Sequence, residues 1–229
     1  MLRLVNMDNR VLATKRLKQR FSPGSYHGLY GTAFNSQNKV AFNNSTEQTV
    51  AFWLKFSLIT GVGYNVYVEA NSAGPVQPAM GWNVYQQGLT LNVSRTDGTT
   101  TTANLTIAQT ANILNKWVYV TCTFSRALGL ATYINANLIK STSTPGTNVL
   151  ANSVFYAAAR SNEPRNYQIT DIKLWNRLLS TTEIASLYYD DAVIRQDLLV
   201  DWPIVPDGSL LVKGANNTTM FLWAADLIT

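Results

Sequence analysis

Residues 169–188 constrain the fold more than any other stretch of this chain. Ile169, Asp171, Lys173 and Trp175 alternate with Thr170, Ile172, Leu174 and Asn176, and a period of two predicts a strand with unequal faces. Ser180 then offers an N-cap oxygen, and Glu183, three residues on, completes a capping box. Ile184, Leu187 and Tyr188 follow at helical spacing. One or two turns of helix with a single apolar side are therefore expected to lie against a sheet.

The rest of the chain reads as strands cut by turn clusters: Ser22-Pro23-Gly24, Asn43-Asn44-Ser45, Ala73-Gly74-Pro75, Asp97-Gly98, Pro145-Gly146 and Pro206-Asp207-Gly208. Such punctuation predicts an all-β sandwich rather than alternating βαβ units. With 229 residues and 46% hydrophobic composition the chain suits one sandwich with an appendage. Strands are expected over 49–58, with Phe52, Leu54 and Phe56 on one face and Trp53 and Lys55 on the other, and over 63–70, 81–86, 88–95, 99–105 and 154–159. Asp97-Gly98 is the clearest candidate for a two-residue hairpin.

The order of strand, Asn176-Arg177-Leu178-Leu179-Ser180, Glu183-Ile184 and Leu187-Tyr188 resembles the closing segment of laminin-G-like, or concanavalin A-like, jelly-roll domains. Two further anchors follow that family's order. Gly28, Gly31 and Phe34 lead through Phe42 to Thr49-Val50-Ala51-Phe52-Trp53, and Lys116-Trp117 opens a hairpin that ends at Tyr133-Ile134-Asn135. The resemblance covers residues 26–188 and implies a two-sheet antiparallel jelly-roll sandwich with one short helix near 180–189. One departure stands out: the family has Gly after the hairpin Asn, and here Asn135 is followed by Ala136. Ala resists the positive φ of a type I′ turn, so the turn is expected to shift to Ala136-Asn137 or to lengthen.

The charge is uneven. Arg3, Arg10, Lys15, Arg16, Lys18 and Arg20 stand against Asp8 alone, so the net charge of +5 lies entirely in residues 1–20. These residues are expected to form a basic arm, read either as a tether for an acidic surface or as an ordinary solvated first element. Without interleaved aromatics the arm is not expected to bind nucleic acid. Residues 21–189 would form the jelly roll. The tail, 190–229, would complete the sandwich or pair with a neighbouring subunit, and its segment 198–204 is similar to the opening strand of many laminin-G-like domains.

Cys122 is the only cysteine, which rules out an internal disulfide and points to a buried thiol. His27 is the only histidine, which rules out multi-histidine zinc sites. Leu2 to Val5 is interrupted by Arg3 and no apolar run follows. Neither a secretory leader nor a membrane span is expected.

The family includes glycoside hydrolases, which place two carboxyls about 5–9.5 Å apart. Glu47, Glu69, Asp97, Glu163 and Asp171 are isolated in sequence, each readable as a turn or surface residue, and catalysis is not expected. Family members that hold Ca²⁺ use Asp, Asn and carbonyl oxygens, and the candidates here are Asn162, Glu163 and Asp97. Glycan recognition uses presented aromatics and amides. The preferred candidates are Trp82 and Tyr85 beside a Gly/Pro-rich loop, with Asn83 and Tyr64. The alternative for any of these aromatics is core filler, because strand aromatics are more often buried than presented.

The expectation is therefore a non-catalytic attachment protein of a virus particle, most plausibly a bacteriophage capsid decoration, head-fibre or tail-fibre component. It would dock on capsid or tail subunits, adhere weakly to cell-surface glycans and work as a homo-oligomer. A cellular carbohydrate-binding lectin is the alternative, with a glycoside hydrolase or lyase of the same fold behind it.

Overall fold

The computed structural model describes residues 26–27, 33–36, 46–56, 64–71, 80–88, 90–97, 101–107, 113–143, 154–161, 167–202 and 220–223. The elements are β1 (Tyr26–His27), β2 (Ala33–Ser36), β3 (Glu47–Phe56), β4 (Tyr64–Asn71), β5 (Met80–Gln87), β6 (Thr90–Asp97), β7 (Thr101–Ile107), β8 (Val118–Ser125), β9 (Gly129–Ile134), β10 (Asn137–Thr142), β11 (Val154–Ser161), β12 (Tyr167–Trp175), α1 (Thr181–Tyr189), β13 (Leu198–Trp202) and β14 (Met220–Trp223).

All paired strands are antiparallel, in two sheets. The first runs β1-β12-β3-β8-β9-β10, with β13 also on β12, and the second runs β14-β2-β11-β4-β5-β6-β7. Among the described residues this is the two-sheet sandwich with one helix expected from the sequence. Between the sheets lie Val50, Phe52, Leu54 and Phe56 of β3, Val118, Val120, Cys122 and Phe124 of β8, and Val84, Leu91, Val93 and Phe155 from the facing sheet. Burying such side chains stabilises the fold by about 1.5–3 kcal/mol each before the entropic cost of ordering the chain. Cys122 is fully buried, and desolvation pushes its thiol up to about 12, against a small opposing effect of the Thr132 hydroxyl.

A second apolar cluster forms on the far side of the first sheet. Trp53 and Tyr119 lie 5.1 Å apart there, and with Trp175 they receive Ile184 and Leu187 of α1. The capping box predicted for α1 is present: Glu183 N donates to Ser180 Oγ at 3.2 Å, and Ser180 N donates to Glu183 Oε2 at 2.8 Å. Arg177 clamps the same carboxylate with Nη1 at 3.0 Å and Nη2 at 2.5 Å. Those Arg177 bonds, helped by Ser180, outweigh desolvation and hold Glu183 down at about 2. Thr49 ties the segment leading into α1 to the sheet, since its Oγ1 donates to Arg177 O at 2.8 Å and accepts from Leu179 N at 3.0 Å.

Two local expectations change. β12 does not keep one period of two: its register against β3 shifts between Thr170 and Lys173, with Asp171 at φ +53°. The bulge lets Ile169 join Ile172 and Leu174 in the inter-sheet core. Lys173 is held by Asp171 and, at 3.6 Å, by Asp201 of β13. The β9–β10 hairpin turns on Asn135-Ala136, at φ 52° and 64°, not on Ala136-Asn137. β6 ends at Asp97 and β7 begins at Thr101, and Gly98 of the expected Asp97-Gly98 turn lies outside the described residues. One hairpin earlier, Gln87 pairs with Thr90, and Gly88 between them takes φ +56°.

The tail strands belong to the same sandwich: β13 pairs with β12 and β14 with β2. Residues 208–212, the arm residues Arg3, Arg10, Lys15, Arg16, Lys18 and Arg20, and the loop residues Asn162 and Glu163 lie outside the described residues. Among the described residues no helix is long and apolar enough to cross a membrane.

Candidate functional site

The polar residues of the second sheet gather on the side facing away from the core. Successive strand residues alternate between faces, and in β5 the inner set is Trp82, Val84 and Gln86, all buried. Asn83, Tyr85 and Gln87 therefore take the outer face, the first two half-buried and the last exposed. In β6, Leu91 and Val93 enter the core, and Thr90, Asn92 and Ser94 take the opposite face, Thr90 half-buried and the other two buried.

Trp82 is thus not a presented aromatic. It is 3% exposed, stacks on Phe124 at 4.4 Å and donates its indole N–H to Gln48 Oε1 deep in the core. The sequence carried the signal, because Trp82 and Val84 share one phase and Asn83 and Tyr85 the other. Tyr64 pairs with Gln87, so its backbone joins the same patch as Tyr85.

Glu69 was the residue that sequence reasoning passed over as a turn or surface carboxylate. It lies within β4, opposite Asn83 on one side and Tyr156 on the other, and is only 1% exposed. A bulge brings it there: the β4–β5 register shifts between Val66 and Val68. That shift puts Tyr67, Val68 and Ala70 all in the core. The Tyr67 hydroxyl donates to Gln86 Oε1 at 2.6 Å, and burial, then Tyr167, raises its pKa well above the ordinary value.

The register continues through six strands. Asn35, Tyr156, Glu69, Asn83, Ser94 and Asn104 form one transverse row, and Arg160, Val66, Tyr85, Asn92 and Thr106 form the next. Ser94 Oγ donates to Asn83 Oδ1 at 2.5 Å. Among the described residues the Asn83 Nδ2 hydrogens have no acceptor, and they are free to donate to a ligand. At the margin, Asn92 Nδ2 donates to Thr90 Oγ1 at 3.0 Å and Thr90 Oγ1 to Gln87 O at 2.7 Å, which fixes the β5–β6 turn.

A face of amides, hydroxyls and a tyrosine suits hydrogen bonding to a polyhydroxylated ligand with ring contact from Tyr85. It holds one carboxylate, Glu69, among the described register positions, whereas glycosidic cleavage by the usual route takes two. Asp97 is the last residue of β6. Among the described residues no three of His, Cys, Asp and Glu stand together as a metal site.

Residues 30–185 match the family model described as the concanavalin A-like lectin/glucanases superfamily, over more than half the chain. The chain belongs to that superfamily. Its sandwich is similar to the binding domains of botulinum neurotoxin serotype D (TM-score 0.56, 17% identity, 71% of this chain and 41% of that one) and serotype G (0.52, 18%, 71% and 38%). The type DC binding domain solved with rat synaptotagmin II is also similar (0.54, 17%, 71% and 40%). Botulinum neurotoxin type F of Clostridium botulinum (strain Langeland / NCTC 10281 / Type F) is 34% identical over 83 residues, 35% of this chain and 6% of the toxin. The chain thus spans about two fifths of those binding-domain chains and a small part of the whole toxin. At this identity the structural likeness establishes the shared lectin-type fold.

Proposed function

We propose that this chain is a non-catalytic attachment module that recognises carbohydrate through the outer face of its second sheet. The observation that carries the reading is the outer side of β5, where Asn83 and Tyr85 are half-buried and Gln87 is exposed, with half-buried Thr90 paired to Gln87. Sugar hydroxyls both donate and accept, and Asn83 offers free donors there. The tyrosine adds apolar ring area with a polar tip at small entropic cost. Membership in a lectin-type superfamily and likeness to toxin binding domains support the same reading.

The module would be carried on a virus particle as a capsid-decoration or fibre component, its basic residues 1–20 docking on an acidic particle surface. Many copies would turn weak sugar contacts into useful avidity.

A glycan array probed with the full chain and with Asn83→Ala and Tyr85→Ala tests the binding reading. Signal on a defined set of glycans, reduced about tenfold or more by either substitution, is expected. Signal that persists unchanged in both variants would place recognition elsewhere. Removal of residues 1–20 tests the carrier. The shortened chain should stay folded and still bind glycan, yet no longer co-sediment with the particle, and co-sedimentation without the arm would overturn the docking role.

A further inference from the structure

We infer that β10 is a dimer edge: a second copy of this chain adds its own β10 antiparallel, through the backbones of Leu138 and Ser141, and the two first sheets become one. β10 ends the first sheet, and among the described residues no strand lies on its far side. β1 and β14, at other margins, have two and four residues, the short edges that blunt strand pairing. β10 has six residues, and five of them are exposed. Two of the five are large and apolar, Leu138 at 55% and Ile139 at 47%.

The hairpin turn settles which backbone groups point outward. Asn135 and Ala136 both have positive φ, as a type I′ turn requires, so Ile134 and Asn137 form a hydrogen-bonded pair. Bonded and non-bonded positions alternate along β9. Thr132 and Leu130 therefore also turn their backbone groups to β10, opposite Lys140 and Thr142, while Tyr133 and Ala131 turn theirs to β8. Asn135 N–H donates to Tyr119 O of β8, in keeping with this phase. Leu138 and Ser141, opposite Tyr133 and Ala131, thus aim N–H and C=O away from the sheet.

A second β10 meets these groups by symmetry. In a two-fold antiparallel pair Leu138 lies opposite the second copy's Ser141, and Ser141 opposite its Leu138, which makes two bonded pairs. A register centred on Leu138 or on Ser141 alone makes one. The bulge between Leu138 and Lys140 sits at the centre of both strands, so the spacing matches. Lys140 then faces the second copy's Ile139 and not its Lys140, which keeps like charges apart and lays the lysine stem over apolar surface. Such a contact uses the same edge on both chains and closes on itself, leaving no β10 edge for a third. The two-fold axis crosses the joined sheet, so both second sheets lie on one side of it. On the carbohydrate reading, both β5 outer faces then address one surface, and two weak contacts act together.

The test is sedimentation equilibrium of the full chain without sugar, in about 0.15 M salt. A small strand-edge contact should give a reversible dimer with Kd about 10–100 μM. Ser141→Pro removes one outward N–H, at an edge position where proline is tolerated, and Leu138→Lys removes the exposed leucine. Each should raise Kd at least about tenfold with the monomer's unfolding temperature unchanged. A full chain that stays monomeric up to about 1 mM, or a dimer unaffected by both variants, overturns the inference. Cysteine pairing fixes the register, since Cys122 is buried and does not compete. Leu138→Cys chains mixed with Ser141→Cys chains should oxidise to a disulfide-linked heterodimer, within the reach of a bonded pair. Preferential linkage of like positions would overturn the register proposed. Because no sugar is present, a monomer leaves the carbohydrate reading standing, and a blank glycan array leaves the dimer standing.

Discussion

Asn135 is joined to Tyr119 twice: its backbone N–H donates to Tyr119 O at 2.8 Å, and its Oδ1 accepts from Tyr119 N at 2.8 Å. One residue thereby pins the β9–β10 hairpin to the first strand of its neighbour pair. Tyr119 lies beneath Tyr188 of α1, with rings 6.2 Å apart, so the hairpin, the sheet and the helix share one anchor.

Two opposite effects are expected at that turn. Asn135→Ala removes the side-chain acceptor and should lower stability by about 1–2 kcal/mol. Ala136 sits at φ 64°, and Ala136→Gly should raise stability by about 1 kcal/mol by relieving the left-handed strain. Urea denaturation of the three proteins checks both. A destabilising Ala136→Gly would contradict the turn geometry.

Glu183 should make stability depend on acid. Its carboxyl is lowered from 4.5 to about 2 in the folded chain, chiefly by Arg177. The native state therefore holds fewer protons than the unfolded one across this window. The contribution is present above pH 4.5 and is lost as the pH falls from 4.5 towards 2. The pair is partly solvated, which limits the effect to about 1 kcal/mol. The stability difference between wild type and Glu183→Gln, measured by denaturation, should shrink over that range. A difference that stays constant with pH would refute the role assigned to the clamp.

Trp82→Ala should cost about 3–5 kcal/mol by emptying the core beside Phe124 and leaving Gln48 without its indole donor. Trp82→Phe should cost less. Loss of ligand binding in Trp82→Phe with unchanged thermal stability would restore Trp82 as a presented aromatic.

Cys122 should be inert to a thiol reagent in the native chain and react once the protein is unfolded. Burial, together with a thiol pushed up to about 12, leaves almost no thiolate at neutral pH. Colorimetric thiol titration with and without denaturant reads this directly. Prompt native reactivity would contradict the packing of β8.

The sandwich was legible because its signals are local: the alternation in β3, the β8–β9 hairpin residues, and the capping box from Ser180 to Glu183 each appear within a few positions. The bulges were not legible. Asp171 and the Tyr67 region insert single residues that change phase in mid-strand, and nothing in composition marks them. That is why Ile169 and Ile172 reach the same core although an even alternation separates them. Glu69 and Asn83 are fourteen positions apart in sequence and become neighbours only through pairing, so the candidate face came out as separate residues rather than as a row. Trp82 was readable from its own strand's phase, and loop proximity misdirected the choice.

The central claim is that the outer face of the second sheet is where carbohydrate binds. Amide NMR of the full chain, titrated with the tightest glycan from the array, tests it most directly. The account predicts shifts concentrated at Asn83, Tyr85, Gln87, Asn92 and Ser94, with Ile184, Leu187 and Tyr188 of α1 unmoved. Shifts confined to α1 and the first sheet, with those five amides still, would contradict it.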